Sequence, residues 1–228
     1  MTRNFAKVEA KHYQPWRAFV QYCVIYLILY PFFKIFFRVE IHGRENIPNK
    51  GIIVAANHTS SFDPVIISLG MNQPIAHMAK QELFHTPVIS QLIQILGAFS
   101  VNREKLEIAT IKSAKSVLST KWHLGIFPEG TRIRTGKVGT VHKGFGYLAK
   151  VTNSEILPMG IIIKRNICPM FGKLIIKIGK PIPVPKTPEE AIENWGKAIA
   201  ELTGLEFNST IKDTENNDKN LEVPCANV

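Results

Sequence analysis

The chain of 228 residues is 45% hydrophobic and 20% charged, which excludes a largely disordered protein and suits one domain with a sizeable core. Its formal net charge of +10 favours an anionic partner, such as a phosphorylated substrate, an anionic membrane or a nucleic acid. The three cysteines, Cys23, Cys168 and Cys225, are far apart, which argues against a disulfide framework or a zinc site and suits a reducing compartment.

The first predicted element is an apolar segment, 18–33, that contains no charged residue. As a helix it would be about 24 Å long, shorter than the roughly 30 Å hydrocarbon core of a bilayer. Basic residues flank both ends and no small-residue cleavage site follows, so we do not expect a removable signal peptide. A buried core helix and a full membrane span stay open as alternatives. The pattern favours a membrane-associating helical segment over 1–38, a helix or helix pair lying in one leaflet with four aromatic residues near the headgroups: Trp16, Tyr22, Tyr26 and Tyr30.

The first candidate catalytic motif covers residues 57–63 and follows an apolar run that predicts a buried strand. A regular helix would place residues 58 and 63 roughly 140° apart, so the motif is better interpreted as a turn. Such a turn can fold the carboxylate of Asp63 back onto the imidazole of His58. A carboxylate on one ring nitrogen fixes the tautomer and makes the other nitrogen a better general base. Because Pro64 follows, Asp63 is also a candidate N-cap of the next helix, and the alternative role of His58 is to cap nearby backbone groups.

Strands and helices alternate along the rest of the chain, which is typical of an α/β domain, here 39–207. The predicted strands cover 39–43, 51–56, 75–80, 97–103, 122–127, 155–161 and 173–178, and the predicted helices cover 64–69, 87–97, 104–119 and 188–203. The last helix begins with a capping box at Thr187. The polar residues 208–228 are expected to form a disordered tail.

The second candidate motif, Phe-Pro-Glu-Gly-Thr-Arg at 127–132, also follows a predicted strand. Gly130 lets the backbone approach a phosphate closely, and the planar guanidinium of Arg132 can make two charge-assisted bonds to phosphate oxygens. Glu129 either orients an arginine or a substrate hydroxyl, or is an ordinary ion-pair partner. Thr131 stands where a P-loop requires lysine, so a nucleotide site is not predicted.

Together these two motifs, about 70 residues apart, resemble the Asn-His-x4-Asp and Phe-Pro-Glu-Gly-Thr-Arg motifs of the glycerolipid acyltransferases. The similarity is strongest to the 1-acylglycerol-3-phosphate acyltransferases and extends over 47–163. It implies the fold of that family, a single α/β domain with a central, mostly parallel sheet flanked by helices. The chain departs from the family at His142, where phenylalanine usually precedes the lysine, so no role is assigned there.

The resemblance also implies roles for individual residues. His58 and Asp63 are the implied catalytic pair. The implied acceptor-phosphate ligands are Arg103, Arg132 and Lys80, the supporting motif residues are Asn57, Glu129, Gly130 and Thr131, and the residues in contact with the acyl donor or its chain are Pro158 and Ile161. Judged without the resemblance, Lys80 is a surface charge and Arg103 forms an ion pair with a nearby glutamate.

The implied reaction transfers a fatty acyl group from acyl-CoA or acyl-carrier-protein to the sn-2 hydroxyl of 1-acyl-sn-glycerol 3-phosphate and gives phosphatidic acid. Direct transfer is expected, because no Gly-x-Ser-x-Gly elbow occurs and no cysteine lies near His58. We expect no cofactor and no metal, membrane lipids and lysophosphatidic acid as partners, and no nucleic acid. The expected location is a membrane, monotopic or peripheral, with the active site on the cytoplasmic side.

Two alternatives follow from the same residues. The first is an acyltransferase for a different lysophospholipid or for glycerol 3-phosphate. The second, from another class, is a non-catalytic basic protein that binds membranes or nucleic acid, for which binding would fall steeply with salt.

Overall fold

A central sheet of seven strands organises the described part of the chain. The computed structural model describes residues 7–102, 107–133, 135–164, 172–208 and 211–212. The strands of the sheet are β1 (Glu40–His42), β2 (Ile53–Ala56), β3 (Ile75–Lys80), β4 (Phe99–Val101), β5 (His123–Ile126), β7 (Ile156–Lys164) and β8 (Lys173–Ile178). A small second sheet pairs β6 (Val141–His142) with β9 (Ile211–Lys212).

The strand order in the central sheet is β1-β8-β7-β2-β5-β3-β4, and every neighbouring pair is parallel except β7 and β8. The expected α/β domain with a mostly parallel sheet is therefore confirmed. The strand β2 lies in the middle, and all four of its residues are buried because strands flank it and helices cover both faces. The carboxyl ends of β2 and its parallel neighbour β5 meet at one edge of the sheet.

Helices cover both faces of the sheet. They are α1 (Pro15–Tyr22), α2 (Tyr30–Phe37), α3 (Asp63–Met71), α4 (Pro87–Ile95), α5 (Ile108–Leu118), α6 (Lys143–Val151) and α7 (Pro188–Thr203). Ile53 of β2 enters the core formed with α5, α6 and α7, whereas its neighbour Val54 enters the core formed with α3 and the N-terminal helix. This division follows from the alternation of side chains along a strand.

The N-terminal apolar segment forms one continuous helix, Pro15–Phe37, in which a π-helical stretch, Cys23–Leu29, joins α1 to α2. Its 23 residues correspond to a length of about 34 Å. By length and composition it is the one helix of the described residues that could cross a membrane. Only 17% of its most apolar window is buried, so the alternative of a buried core helix is wrong.

One side of this helix is attached to the domain by polar contacts. Gln21 Nε2 donates to Ile75 O at 2.8 Å and to Leu96 O at 2.7 Å, and Gln21 Oε1 accepts from Ile75 N at 2.9 Å. The hydroxyl of Tyr26 donates to Leu69 O at 3.1 Å, which corrects the expectation that this tyrosine faces lipid headgroups. The other side exposes large apolar side chains: Trp16, Phe19, Tyr22, Leu27, Ile28, Phe32 and Ile35.

Three local features differ from the predictions. Asp63 is the first residue of α3, and the N-cap is Phe62 and not Asp63 as predicted. The carboxylate of Asp63 does not cap the helix, because it accepts hydrogen bonds from backbone N–H groups of the preceding turn. The helix predicted over 104–119 is observed as α5, and 104–106 lie outside the described residues. Within the predicted tail, β9 pairs in parallel with β6, so an unstructured tail is wrong for these two residues, and 213–228 lie outside the described part.

Candidate active site

The structure brings His58 and Asp63 into direct contact at the carboxyl edge of β2. His58 Nδ1 lies 2.8 Å from Asp63 Oδ2, and the carboxylate is completely buried. The turn between them places the backbone N–H groups of Thr59 and Ser60 2.5 Å and 2.7 Å from the same oxygen. Asp63 is therefore held as an acceptor, which assigns the proton of the imidazole to Nδ1 and leaves Nε2 as the basic nitrogen.

The imidazole of His58 has a fixed orientation and a limited exposure. Its side chain is 10% exposed, and its ring stacks on Phe127 with centroids 4.2 Å apart and planes inclined by 21°. No hydrogen-bond partner of His58 Nε2 occurs among the described residues. A buried ring with one nitrogen held by a carboxylate and the other unpaired is the arrangement that a general base requires.

Glu129 is held by backbone donors from two separate segments. Its Oε2 accepts from the backbone N–H of His58 at 2.7 Å, and its Oε1 accepts from Gly139 N at 2.8 Å. The residue is 2% exposed, and burial raises the pKa of its carboxyl group, although the two N–H donors oppose this shift. Glu129 therefore ties the loop around Gly139 to the histidine turn.

Asn57 also joins distant segments through the backbone. Its Nδ2 donates to Ile161 O at 3.0 Å, and its Oδ1 accepts from Ile161 N at 2.7 Å, which extends the pairing of β2 with β7 by one side chain. The side chain of Ile161 is 2% exposed, and Pro158 is also buried within β7. Contact of Pro158 and Ile161 with the acyl donor or its chain stays a prediction.

The Phe-Pro-Glu-Gly-Thr-Arg loop lies beside the histidine turn. Ile133 N donates to His58 O at 2.7 Å, and Arg132 Nη1 donates to Ser61 Oγ at 2.7 Å, so the exposed guanidinium is next to the turn that holds His58 and Asp63. Gly130 has a φ of +62°, which favours glycine, and a Cβ there would lie 2.6 Å from His142 Nε2. Thr131 is exposed.

Of the two other predicted phosphate ligands, only Lys80 belongs to the described residues. Lys80 ends β3, is exposed, and forms an ion pair with Glu82 at 2.6 Å. This contact agrees with its interpretation as a surface charge. Arg103 lies outside the described residues.

Sequence reasoning missed a cavity of about 100 Å³ on the face of the sheet covered by α5 and α6. Phe127 lines it and also stacks on His58, so one ring separates the cavity from the imidazole. The other lining residues include Met78, Val101, Thr110, Gly130, His142 and Phe145. No local pattern reveals this cavity, because its walls come from five segments of the chain. Among the described residues, no group of three or more His, Cys, Asp or Glu side chains could hold a metal ion.

These features define a class of protein: an α/β domain that holds a hydrogen-bonded His–Asp pair at the carboxyl edge of its parallel strands. Residues 38–162 match the family model described as Acyltransferase. Because this match covers more than half of the 228 residues, the chain belongs to the Acyltransferase family, and the resemblance seen in the two motifs is confirmed.

The most similar sequences and structures include three that carry a more specific name. The chain is 32% identical over 132 residues to the 1-acyl-sn-glycerol-3-phosphate acyltransferase of Borreliella burgdorferi, which covers 57% of this chain and 53% of that protein. It is 28% identical over 148 residues to the enzyme of the same name from Bacillus subtilis, covering 63% and 73%. The crystal structure of the 1-acyl-sn-glycerophosphate (LPA) acyltransferase, PlsC, from Thermotoga maritima matches with a TM-score of 0.67 at 27% identity, covering 81% of this chain and 78% of that one.

The matched region is only a part of some relatives. The chain spans about half the length of the Borreliella burgdorferi protein and of the Pseudomonas aeruginosa 1-acyl-sn-glycerol-3-phosphate acyltransferase, at 53% and 48%.

Proposed function

We propose that the protein transfers a fatty acyl group from acyl-CoA or acyl-carrier-protein to the sn-2 hydroxyl of 1-acyl-sn-glycerol 3-phosphate, giving phosphatidic acid. The observation that carries this proposal is the 2.8 Å contact between His58 Nδ1 and Asp63 Oδ2, with Nε2 unpaired among the described residues. The names of the similar enzymes support the choice of acceptor and product.

The chemical steps follow from this geometry. His58 Nε2 takes the proton of the acceptor's 2-hydroxyl while the hydroxyl oxygen attacks the carbonyl carbon of the thioester. The new carbon–oxygen bond forms, the carbon–sulfur bond breaks, and the departing thiolate receives the proton from His58. Asp63 stabilises the imidazolium that exists between these two proton transfers. No covalent acyl-enzyme is required, because the hydroxyl of the acceptor is itself the nucleophile.

The phosphate of the acceptor needs a cationic partner close to the base. Arg132 fulfils this role in the proposal, since its guanidinium bonds Ser61 within the histidine turn. We assign a second contact to Arg103 and a weaker electrostatic contribution to Lys80, both on the basis of the family motif alone.

The acceptor is a membrane lipid, so the site must lie close to a bilayer. The apolar N-terminal helix ends near the site: Phe33 contacts Phe62, the residue before Asp63, with ring centroids 6.5 Å apart. We therefore place this helix in one leaflet of the membrane and the site on the cytoplasmic side, where the soluble acyl donors occur.

The test is an acyl-transfer assay with the purified full chain in detergent–lipid micelles. Acyl-CoA and acyl-carrier-protein donors are each combined with 1-acylglycerol 3-phosphate, with other lysophospholipids and with glycerol 3-phosphate. His58→Ala is expected to lower turnover at least about 10³-fold without changing the melting temperature, because the base is lost. The matched control is His42→Ala, which removes an exposed histidine from β1 and should leave turnover unchanged.

Each other outcome points to a specific alternative. Turnover of the His58→Ala variant at the wild-type rate would disprove the assignment of the base. If another lysolipid or glycerol 3-phosphate is preferred, the proposed acceptor is wrong, but acyl transfer with His58 as the base is retained. If no donor–acceptor pair reacts and binding to vesicles falls steeply with salt, the protein is a non-catalytic membrane-binding protein.

A further inference from the structure

The helix α4 has its apolar side turned outward. Val88, Leu92 and Ile95 lie on one side of the helix, since they are four and three residues apart, and they are 78%, 53% and 40% exposed. On the opposite side Ser90 is 4% exposed, and its hydroxyl accepts from Gln94 Nε2 at 2.8 Å. A helix on the surface of a soluble domain has the reverse arrangement, with apolar residues inward and polar residues outward.

The sequence around α4 lacks the charges that normally keep an exposed helix in water. From Leu83 to Asn102 there is no Asp, Glu, Lys or Arg, although one residue in five of the whole chain is charged. Leu83 and Ile89 add further exposed apolar surface, at 45% and 43%. An outward face that is both apolar and uncharged is typical of contact with lipid or with another protein.

The apolar face of α4 adjoins the N-terminal helix. Arg17 Nη1 donates to Gln94 O at 2.9 Å, and Gln21 Nε2 donates to Leu96 O at 2.7 Å, so the first turns of α1 contact the end of α4. Close to these contacts, Trp16 and Phe19 of α1 are 53% and 68% exposed. Two helices in contact therefore both direct large apolar side chains away from the domain.

Charge indicates which partner covers this surface. A groove of about 770 Å³ lies where the two helices meet, and the described residues that line it include the cations Lys7, Lys11 and Arg17. Its one acid among these residues, Glu9, pairs with Lys11 at 2.8 Å, which leaves a net positive charge. Trp16 also lines the groove, and the guanidinium of Arg17 lies 4.9 Å from the centroid of its ring. Cations and a tryptophan at the border of an apolar surface are the usual arrangement at an anionic lipid interface.

We propose that α4 inserts its outward face, Val88, Leu92 and Ile95, into an anionic lipid leaflet as a second membrane contact beside the N-terminal helix. The proposal rests on the proposed function, which places the acceptor in that leaflet. α4 begins shortly after the carboxyl end of β3, at the same edge of the sheet as His58, so this second contact fixes the tilt of the catalytic edge relative to the bilayer.

The first test measures partition of the full-length protein into vesicles of phosphatidylcholine and phosphatidylglycerol at a 7:3 ratio. The variant Val88→Ser/Leu92→Ser/Ile95→Ser is expected to lower the partition coefficient about tenfold, because three inserted apolar side chains are lost. The matched control, Ile108→Ser/Ile163→Ser/Val184→Ser, changes three exposed apolar residues outside the two helices and is expected to change it less than about twofold. Equal partition of the α4 variant and wild type would overturn the proposal.

The second test reports insertion without depending on the stability of the serine variant. A polarity-sensitive fluorophore is attached to Leu92→Cys, after serine replaces Cys23, Cys168 and Cys225. Its emission should shift to the blue on vesicle addition and be quenched by brominated acyl chains, whereas the same label at Ile108→Cys should not respond. An unshifted emission at position 92 overturns the proposal. A blue shift that instead follows protein concentration without vesicles also overturns it, since a second copy of the chain would then cover α4.

The readouts separate this proposal from the proposed function. His58→Ala is expected to insert like wild type, because insertion does not require chemistry. Normal insertion without acyl transfer in any donor–acceptor pair would disprove the proposed function alone. Normal acyl transfer with position 92 in water would disprove the insertion of α4 alone.

Discussion

The substitution Asp63→Asn tests whether the negative charge beside His58 is needed for acyl transfer. Oδ2 of Asp63 accepts from His58 Nδ1, Thr59 N and Ser60 N, whereas within the described part of the chain Oδ1 has only the hydroxyl of Thr59 at 3.4 Å. Because the two backbone donors require an oxygen, we expect asparagine to place its amide oxygen at the Oδ2 position. The tautomer of His58 is then retained, and the substitution removes the charge while keeping the geometry.

The size of the effect can be derived from the contact. At 2.8 Å and an effective dielectric constant of about 20, an imidazolium and a carboxylate attract each other by about 6 kcal/mol. The amide oxygen still accepts the hydrogen bond and retains about half of this. The transition state, in which His58 carries the proton, therefore loses about 3 kcal/mol, which corresponds to a fall in kcat of roughly 100- to 200-fold.

The assay is a single-turnover measurement with saturating donor and acceptor, which separates the chemical step from product release. The control is Glu40→Gln, which neutralises the carboxylate of an exposed pair, 3.8 Å from His42 Nε2, and should leave the rate constant unchanged. A rate constant for Asp63→Asn within about threefold of wild type, at an unchanged melting temperature, would refute the reasoning that the carboxylate's charge assists His58.

Three further predictions concern acceptor binding, backbone conformation and pH. Arg132→Ala should raise the KM for 1-acylglycerol 3-phosphate about 10- to 100-fold, because the charge-assisted pair between the guanidinium and the phosphate is lost. The KM for a phosphate-free acceptor should not change, and equal effects on both acceptors would contradict this prediction. Gly130→Ala should lower the free energy of unfolding, measured in urea, by about 2 kcal/mol more than Gly136→Ala does. Both glycines have a positive φ, but only at Gly130 does an added Cβ meet His142. Equal losses for the two variants would show that the imidazole of His142 moves aside. Burial lowers the pKa of His123 from 6.5 to about 4, so its contribution to stability is complete above pH 6.5 and is lost as the pH falls towards 4. At pH 5 this loss amounts to about 2 kcal/mol of the free energy of unfolding. The variant His123→Gln cannot titrate at this position, so between pH 7 and pH 5 its free energy of unfolding in urea should fall by about 2 kcal/mol less than that of wild type. Identical losses for variant and wild type would contradict the assignment.

The elements predicted best from the sequence are those with a strong local signal. The strand predicted over 173–178 is observed at Lys173–Ile178, and that over 75–80 at Ile75–Lys80, because both are short apolar segments bounded by turns. The capping residue Thr187 accepts from Glu190 N at 3.1 Å as predicted. The carboxylate of Glu190, however, accepts from Lys186 N and not from Thr187 N.

The part of the candidate site that the sequence predicts is the part whose interacting side chains belong to the same turn. His58 and Asp63 are five residues apart, so the contact between them could be inferred from the turn alone. Glu129 is 71 residues from His58, and its partners are backbone N–H groups, which carry no residue-specific signal. The same reason explains why the pairing of the Asn57 side chain with the backbone of β7 was not predicted.

The sequence of α4 is compatible with apolar residues that face either the protein core or lipid. Periodicity separates an apolar side from a polar side, but it does not state which side meets the protein. The apolar side of a helix faces inward only when water is the solvent on its other side. The buried Ser90 and the exposed Val88 show that the apolar side of α4 faces outward.

The side chain of Gln21 determines the rotational setting of the N-terminal helix about its own axis. Its amide makes hydrogen bonds with Ile75 N, Ile75 O and Leu96 O. If the helix slid or rotated, these three backbone groups would lose their hydrogen bonds to Gln21. Apolar packing alone would permit neighbouring settings at little cost in free energy, because methyl and ring contacts are not directional. One glutamine thus selects which residues of the helix face away from the domain, and in the proposed membrane-bound state it would keep the distance between the bilayer and His58 constant from one molecule to the next.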